Sequence, residues 1–579
     1  MGVVNSMVDV LRRRADTDPE TIAYTFLEAG EREGASVTWG ALDRHSRAIG
    51  ASIASSVAPG SRVLIVLPPC LEFASAFFGV LYAGAIAIPT YPPSGARADR
   101  TSTRIRGMVA DAGVSLVLSC ASVHARRPQI EMLVPELAGV DWLTIDDTDV
   151  ATAADWTAPG SDESTLALLQ YTSGSTAAPR GVMVNHGNLL HNLAHAAALA
   201  GYRHDSVAVS WLPVNHDMGL INGVLQGAYS GSRTIQMAPA AFLQRPARWL
   251  QAISRYGATH SGGPNFAYDL CARRISEEDR ACLDLRTWKL AYNGSEPVRR
   301  STMENFMRVF GPRGFRWTSF RPGYGLAEST LVVTSDPAGT APVFRSSIIR
   351  AGSAGDVAAI SNDWVSSGVA DGSMRVRIVD PLTRLPRAAD EVGEIWIEGD
   401  SVAAGYWNKP QETAATFHAF LADTNHGPYL RTGDLGCVSD GHLFVTGRIK
   451  DVLIVRGLKH YPHDIEATAE AAHGSLRPGC CAAFSVHSEG EESVAVIAEV
   501  EARFGPELDD ELRTDAICAI RKAVAESHQL ALHAVAVVPA GTLPKTTSGK
   551  LQRFLCRSGF LEGTLGQLAA WYEGERVAS

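Results

Sequence analysis

Short apolar runs alternate with amphipathic stretches through most of the chain before Gly447. The apolar run at 62–67 precedes a helix-like apolar stretch at 71–82, and the run at 115–118 follows a helix-like pattern at 104–112. Alternating strand and helix patterns are typical of α/β folds with parallel sheets. The pattern predicts an α/β fold whose large N-terminal domain has several layers and mostly parallel sheets.

Two segments are patterned as hairpins instead. Strand-like residues at 22–27 and 37–38 flank a charged turn that contains glycine, and Asp440-Gly441 separates apolar residues at 437–438 from those at 443–445. Asp-Gly between alternating apolar residues is a strong turn signal. Both segments are therefore expected to form antiparallel pairs within the largely parallel fold.

A smaller set of elements begins after Gly447. The pattern predicts strands at 482–486 and 493–500, a helix at 507–526 and a strand at 533–538. This stretch of about 130 residues is an ordinary size for one core. We therefore expect residues 1–447 to form the large domain and residues 448–579 a small α+β domain.

Composition narrows the class of protein. The formal charge of −10 disfavours a general nucleic-acid partner, which requires a basic surface. The most apolar stretch, 71–89, contains Glu72, Gly79 and Gly84, so a buried helix and strand are favoured over an integral membrane segment. Nine scattered cysteines without a CxxC pair fit reduced thiols and a cytoplasmic location.

Four polar segments interrupt this pattern with residues suited to nucleotide chemistry. They are YTSGSTAAPRG at 171–181, YLRTGDLG at 429–436, GRIKD at 447–451 and PKTTSGKLQR at 544–553. The first follows an apolar strand, and its amides and hydroxyls are suited to surround phosphate oxygens. The GxxxxGK[ST] pattern of P-loop NTPases is absent from it, so that chemistry is disfavoured.

In this order the four segments resemble the adenylate-forming superfamily of acyl-CoA synthetases, luciferases and peptide-synthetase adenylation domains. The resemblance spans nearly the whole chain and implies ATP as substrate with Mg²⁺ as cofactor. It also implies that the 171–181 segment binds pyrophosphate oxygens. The residues concerned are Thr172, Ser173, Gly174, Ser175 and Thr176.

Two further segments resemble the nucleotide pocket of this superfamily. LAYNGSEP at 290–297 and GYGLAEST at 323–330 supply the expected nucleotide-binding residues Asn293, Gly294, Ser295, Tyr324 and Gly325. Asn293 and Gly294 are expected to meet the adenine, and Tyr324 to stack on it. Glu328 offers a carboxylate oxygen for Mg²⁺, and the resemblance adds Thr172 as a second ligand.

The downstream segments supply the remaining groups of the expected site. The carboxylate of Asp434 accepts two hydrogen bonds and so matches the vicinal hydroxyls of a ribose, while Arg448 is placed to bridge the ribose or a phosphate. Lys450 lies where this superfamily has its interdomain hinge. The expected catalytic residues are Lys550, Glu328 and His216. Lys550, in a loop rich in Gly, Ser and Thr, is the main one, since its ammonium would offset charge that builds on phosphoryl oxygens.

Three features resemble fatty acyl-AMP ligases more than acyl-CoA ligases. They are WLPVNHDMGL at 211–220 with SGGPNFAYDLC at 261–271, GLKHYPHDIE at 457–466, and an apparent insertion at 331–375. In fatty acyl-AMP ligases an insertion at this place hinders the domain arrangement that CoA requires. The resemblance implies activation of a long-chain fatty acid to an acyl-adenylate.

His216 and Asp217 bear on which carboxylic acid is the substrate, and they leave two classes of acid open. His216 is expected to position the substrate carboxylate or to line the acyl tunnel. Asp217 falls where amino-acid adenylation domains bind an ammonium group, which keeps an amino acid as an alternative substrate. Apolar residues between Met218 and Leu225 suit either an alkyl chain or a buried helix face, and periodicity does not separate the two.

The acceptor of the acyl group follows from the same resemblance. No Gly-Gly-x-Ser attachment motif follows Lys550, so the expected partner is a separate phosphopantetheinylated acyl carrier protein of a polyketide or peptide lipid pathway. A fatty acyl-CoA synthetase shares every adenylation residue and remains an alternative. A non-catalytic acyl or nucleotide sensor is the third hypothesis, against which Lys550, Asp434 and Glu328 argue.

Overall fold

The computed structural model describes the chain in nine stretches, with gaps between them. These are residues 4–93, 98–172, 179–349, 359–369, 372–455, 458–488, 491–502, 510–545 and 551–573.

Two mostly parallel sheets form the centre of the larger part of the structure, for which we keep the name large domain. The first has the order β6-β5-β3-β4-β7-β8 and is parallel except for the β7–β8 pair at its edge. Its strands are β3 (Arg62–Val66), β4 (Ile86–Thr90), β5 (Leu116–Ser119), β6 (Asp141–Thr144), β7 (Leu166–Thr172) and β8 (Arg180–Asn185). β3 and β4 are almost entirely apolar because helices cover both faces of such a sheet and bury every position of a central strand.

The second sheet has the order β14-β13-β12-β11-β9-β10-β1-β2 and is antiparallel at its two edge pairs. Its strands are β1 (Ile22–Glu28), β2 (Arg32–Thr38), β9 (Val207–Ser210), β10 (Arg233–Met237), β11 (His260–Gly263), β12 (Leu290–Asn293), β13 (Phe320–Gly325) and β14 (Val332–Ser335). Non-consecutive neighbours such as β9 and β11 show that helices cross over between the parallel strands.

A four-stranded antiparallel sheet and a hairpin complete the large domain. The sheet runs in chain order through β17 (Arg375–Val379), β18 (Gly393–Glu398), β19 (Leu430–Ser439) and β20 (His442–Arg448). The hairpin, β15 (Phe344–Ile349) with β16 (Ala359–Val365), lies within the stretch predicted to be an insertion.

Helices surround these sheets. Those of the large domain are α1 (Met7–Thr17), α2 (Trp39–Ser56), α3 (Glu72–Tyr82), α4 (Ala98–Ala112), α5 (Ala121–His124), α6 (Arg127–Leu133), α7 (His186–Ala200), α8 (Gln226–Ser230), α9 (Pro239–Gln244), α10 (Ala247–Tyr256), α11 (Asn265–Arg274), α12 (Glu277–Ala281), α13 (Arg300–Phe310) and α14 (Pro410–Phe417). α3 is apolar throughout because it is almost entirely buried.

The remaining elements build a smaller unit with apolar clusters of its own. It contains a short hairpin, a mixed sheet of order β23-β24-β25-β26, and three helices. Its elements are β21 (Leu453–Val455), β22 (Leu458–His460), α15 (Pro462–Ala472), β23 (Leu476–Ser488), β24 (Glu491–Val500), α16 (Asp510–His528), β25 (Leu532–Val538), α17 (Arg553–Leu561) and β26 (Ala569–Tyr572).

The predicted fold class is confirmed: the chain is α/β, with large sheets that are mostly parallel and a smaller sheet towards the C-terminus. Both predicted hairpins are present as β1–β2 and β19–β20. The apolar stretch at 71–89 is a buried helix followed by a strand. Within the described part of the chain, no helix has the length and apolar character needed to cross a bilayer.

Candidate active site

One cavity of about 2690 Å³ collects most of the predicted site residues. It opens where the ends of β12 and β13 meet β19, β20 and the small unit. Its walls include His216, Asn293, Gly294, Ser295, Tyr324, Gly325, Glu328, Asp434, Arg448 and Lys450. Segments far apart in the sequence thus converge on one space.

The ends of β12 and β13 bring the first two predicted segments together. The two strands are parallel neighbours with Asn293 beside Pro322, and ligands of such sheets bind outside the carboxyl ends of the strands. A Cβ on Gly294 would stand 2.7 Å from the carbonyl oxygen of Gly323, so the close backbone approach requires glycine. The buried Oδ1 of Asn293 has no hydrogen-bond partner among the residues that the structure describes, and it is an acceptor suited to a ligand amine.

Asp434 is held between two side chains. Its Oδ2 accepts a hydrogen bond of 2.7 Å from the hydroxyl of Tyr324, and its Oδ1 lies 3.0 Å from Nε of Arg448. The backbone N–H of Asp434 donates to Oγ1 of Thr432, which fixes the turn that carries the carboxylate. Each carboxylate oxygen accepts more than one hydrogen bond, so capacity for ribose hydroxyls remains.

The electrostatics of this group reflect its burial. The carboxylate of Asp434 raises the pKa of Arg448, and burial followed by the same carboxylate raises the pKa of Tyr324 well above its ordinary value. Tyr324 therefore stays a hydrogen-bond donor and Arg448 stays a cation through the physiological range. Tyr324 lines the cavity, and its hydroxyl is held by Asp434.

Glu328 faces the same cavity and has a partner that the sequence did not suggest. The hydroxyl of Tyr406 donates to Oε1 of Glu328 at 2.8 Å. The guanidinium of Arg180 lies 5.3 Å from the centre of the Tyr406 ring, and Arg180 also pairs with Glu412 at 2.7 Å. The carboxylate is thus oriented by a neutral donor.

The segment of the predicted hinge is a short turn at the rim of the cavity. Ile449–Asp451 form one turn of 3₁₀-helix directly after β20. Burial, and next the charge of Arg448, lower the pKa of Lys450. Asp451, one residue further, pairs with Arg553 at 3.1 Å and so connects this turn to the start of α17.

Part of the predicted phosphate loop lies outside the described residues. The structure describes the backbone of Thr172 at the end of β7, paired with Arg180 on β8, but not its side chain. Ser173, Gly174, Ser175 and Thr176 lie in the gap between these two residues, and Lys550 lies in the gap before Leu551. Of the described residues of this segment, Tyr171 and Arg180 line the cavity.

His216 and Asp217 lie side by side on the cavity wall. Nδ1 of His216 is 2.7 Å from Oδ1 of Asp217, and the same oxygen accepts the backbone N–H of Met218 at 2.6 Å. Asp217 thereby caps the π-helical segment Met218–Leu225. Its carboxylate has local hydrogen-bond partners, which explains an aspartate here without a substrate ammonium.

The apolar residues of this segment divide between the two predicted roles. Met218 lines the cavity, whereas Leu220, Ile221, Val224 and Leu225 are at most 1% exposed and belong to the core. The rest of the apolar wall comes from residues to which the sequence analysis gave no role, although four of them lie in the quoted segments 211–220 and 261–271. These are Trp211, Leu212, Leu243, Phe266 and Leu270.

The residues that sequence reasoning missed share one property. Tyr406, Thr432 and Arg180 act on predicted residues through hydrogen bonds or ring contacts formed only in the folded chain. Thr432 and Arg180 lie inside quoted motifs and could have been proposed from them. Tyr406 lies in no motif, and its position depends on a bridge between its backbone and Val182 on β8.

Comparisons with known proteins agree with this geometry. A family model described as AMP-binding enzyme matches residues 11–407, and one described as the AMP domain of Disco-interacting protein 2-like proteins matches residues 450–569. The medium-chain-fatty-acid–[acyl-carrier-protein] ligase JamA of Moorena producens is 44% identical, over 98% of this chain and 97% of that protein. The long-chain-fatty-acid–AMP ligase FadD26 of Mycobacterium bovis is 37% identical, over 95% and 96%.

A solved structure is similar over the same span. The fatty acyl-adenylate ligase from L. pneumophila, in complex with acyl adenylate and pyrophosphate, is 39% identical and superimposes with a TM-score of 0.74, covering 99% of this chain and 98% of that chain. Family model, relatives and structure thus span nearly the full sequence, and the chain belongs to the adenylate-forming AMP-binding enzymes and, among them, to the fatty acyl-AMP ligases.

Proposed function

We propose that this enzyme uses ATP to activate a long-chain fatty acid as its acyl-adenylate and then passes the acyl group to a separate acyl carrier protein. The observation that carries the proposal is the joint placement of Asp434, Tyr324, Arg448 and Glu328 on one cavity whose other wall is apolar. The name of JamA includes a carrier-protein acceptor, and that of FadD26 includes a long-chain acid.

The first step is an in-line displacement at phosphorus. A carboxylate oxygen of the fatty acid forms a bond to the α-phosphorus of ATP, and the bond from that phosphorus to the bridging oxygen breaks to release pyrophosphate. In the proposed arrangement Asp434 holds the ribose, Asn293 to Ser295 with Tyr324 and Gly325 surround the base, and Arg448 bridges ribose and phosphate. The phosphate loop at 172–176 and the ammonium of Lys550 would stabilise charge on the phosphoryl oxygens.

The residues around Glu328 fit a magnesium ion. Mg²⁺ in nucleotide enzymes is held by one or two carboxylates together with phosphate oxygens and water, and Glu328 supplies an oriented carboxylate at the cavity wall. Thr172 is the proposed second protein ligand. When bound, the ion would neutralise charge on the phosphates, and the hydroxyl of Tyr406 would keep the carboxylate of Glu328 oriented.

In the second step the phosphopantetheine thiol of the carrier attacks the acyl carbonyl, a thioester forms, and AMP leaves with the bonding electrons. We propose that residues 448–579 move about Lys450 between the two steps, as a domain distinct from residues 1–447. The separate apolar clusters of the two parts support this division. A cytoplasmic site of action is supported by the nine cysteines, all of which are free thiols.

A panel assay tests the proposal. Pyrophosphate release and labelled acyl-AMP are measured with ATP and fatty acids of increasing length, with CoA, with a loaded carrier protein, or with neither. Acyl-AMP that accumulates and is converted by the carrier but not by CoA is expected. Rapid conversion by CoA would favour an acyl-CoA synthetase, and no adenylate with any acid would favour a non-catalytic sensor.

Lys550→Gln should abolish adenylate formation while ATP still binds.

A further inference from the structure

Helix α15 of the small unit presents two buried carboxylates on one face. Glu466 and Glu470 are one helical turn apart, and their side chains are 6% and 7% exposed. Like charges four residues apart on a helix repel each other, and burial increases the penalty because water no longer screens them. Each carboxylate therefore needs a cation of its own.

The cation for Glu466 comes from the same unit. Arg553, at the start of α17, donates to both oxygens of Glu466 at 2.6 and 2.7 Å, a bidentate geometry, and Oε1 of Glu466 also accepts the backbone N–H of Ala483 at 3.0 Å. These contacts join α15, α17 and β23, so the three elements would move as one body if the small unit moved.

The cation for Glu470 comes from the large domain. Nη1 of Arg299, which precedes α13, lies 2.8 Å from Oε2 of Glu470. The backbone N–H of Arg299 donates to Oδ1 of Asn265, so the arginine is fixed to the large domain at its base. Burial raises the pKa of Glu470 and Arg299 opposes that shift, as expected of a carboxylate whose charge depends on this partner.

We propose that Arg299 and Glu470 form an electrostatic latch that sets the orientation of the small unit against the large domain. Both residues line the cavity, so the latch determines which groups of α15 and the 449–451 turn face the nucleotide. Arg299 and Glu470 are positioning residues. Any other orientation takes Arg299 away from Glu470 while Glu466 stays one helical turn away, so the loss of this attraction favours the latched arrangement.

A second pair across the same boundary provides a matched control. Arg273 on α11 lies 3.5 Å from Glu501, with side chains 33% and 25% exposed, so water screens the attraction. Arg273→Gln makes the same chemical change as Arg299→Gln, in a pair that joins the same two units. It should leave the orientation unchanged.

The native thiols allow the orientation to be measured directly. Cys282 in the large domain and Cys518 on α16 are the two exposed cysteines. Spin labels on these two residues report one interdomain distance distribution by pulsed electron resonance. In the full-length enzyme we expect Glu470→Gln and Arg299→Gln to broaden or shift this distribution, Arg273→Gln to leave it unchanged, and the exchange Arg299→Glu with Glu470→Arg to restore most of it.

Glu470→Gln is the variant expected to fold normally, because it removes a buried charge and leaves no buried charge unpaired. The side chain of the remaining Arg299 is 37% exposed and can be hydrated. Coincident distributions in wild type, Glu470→Gln and Arg299→Gln would overturn the latch. An equal change of the distance distribution in Arg273→Gln would overturn the latch as well. The orientation would then depend on any ion pair between the two units and not on the Arg299–Glu470 pair.

The catalytic consequence rests on the proposed function, whereas the distance measurement does not. For adenylate formation, we expect Arg299→Gln to lower kcat about tenfold with KM for ATP changed less than about twofold, and Arg299→Lys to retain most of the activity. A changed distance distribution in an enzyme that adenylates no acid would keep the latch and refute the proposed reaction. Unchanged kcat together with an unchanged distribution would refute the latch.

Discussion

At the scale of single residues, the Tyr324–Asp434 hydrogen bond is open to a clean test. Tyr324→Phe removes the 2.7 Å donor but keeps the ring, so among the described residues Asp434 retains Arg448 alone as a side-chain partner. A hydrogen bond to a charged group contributes about 1.5–3 kcal/mol, so we expect adenylate formation to fall roughly 10- to 100-fold. Pyrophosphate release at saturating fatty acid, with ATP varied, measures the loss.

The control for this variant is Tyr256→Phe. Tyr256 donates to the carboxylate of Glu33 at 2.7 Å on the exposed surface, so the substitution removes the same type of hydrogen bond from a site that does not line the cavity. It should leave adenylation unchanged. Equal activity of Tyr324→Phe and Tyr256→Phe would show that the Tyr324 contact does not support Asp434 in nucleotide binding.

Tyr406 provides a second residue-level prediction, which concerns magnesium. Burial, and then the neighbouring charge of Glu328, raise the pKa of Tyr406, so its hydroxyl remains a donor to that carboxylate. Tyr406→Phe frees Glu328 to adopt other rotamers. We expect the Mg²⁺ concentration for half-maximal adenylation to rise several-fold while KM for the fatty acid is unchanged. An unchanged Mg²⁺ requirement would place the ion away from Glu328.

At the scale of elements, the sequence predicted the types of secondary structure better than their arrangement. The strand and helix alternation gave the two mostly parallel sheets because parallel strands need crossovers whose helices carry their own period. The order of strands in each sheet has no such signal, so the convergence of β12 and β13 with β19 on one cavity came only from the structure.

The candidate site divides in the same way. Asp434, Arg448, Tyr324 and Glu328 lie in contiguous motifs and could be named from the sequence, whereas Tyr406 reaches Glu328 across 78 positions of the chain. The π-helical segment at 218–225 was left open between two roles because its apolar residues fit a core face and an acyl pocket equally. In the folded chain the role differs from one residue to the next: Met218 lines the cavity, whereas its apolar neighbours lie in the core.

The junction of α1 and α7 leads to a prediction on acid stability. His186 at the start of α7 accepts the backbone N–H of Met7 at 3.2 Å, and burial lowers the pKa of His186 to about 4. Between the ordinary value near 6.5 and about 4, the unfolded chain binds a proton that the native chain does not. The free energy of unfolding should therefore fall as pH drops through this window, by up to roughly 3 kcal/mol from this residue.

His186→Gln tests this contribution, because glutamine keeps a polar group and does not titrate. The midpoint of thermal unfolding, followed from pH 7 to pH 4, should fall less steeply in the variant than in wild type. Burial lowers the pKa of His260 to about 4 as well, so some acid sensitivity should persist. Identical slopes in the two proteins would mean that His186 is already protonated, or exposed, in the native state.

At the scale of the whole molecule, the β15–β16 hairpin connects the two parts of the chain. Trp364 on β16 packs with Cys437 and Phe444 of the large domain, and its ring lies 6.1 Å from that of His463 in the small unit, edge to face. If this contact restrains the small unit, its removal should relax the discrimination against CoA that we propose for this enzyme. Trp364→Ala is expected to raise acyl-CoA formation at least several-fold, measured with acyl-AMP formation in the same reaction.

Two further variants make this prediction specific. His463→Ala removes the other ring of the same contact and should raise acyl-CoA formation as Trp364→Ala does. Trp142→Ala removes an edge-to-face contact of the same kind, with His124 at 6.0 Å, which lies within the large domain, and it should leave the acceptor preference unchanged. A rise confined to the Trp364 and His463 variants would connect acceptor choice to the hairpin. If neither variant uses CoA, the discrimination resides in the thiol-binding surface instead, because the restraint would have been removed without effect.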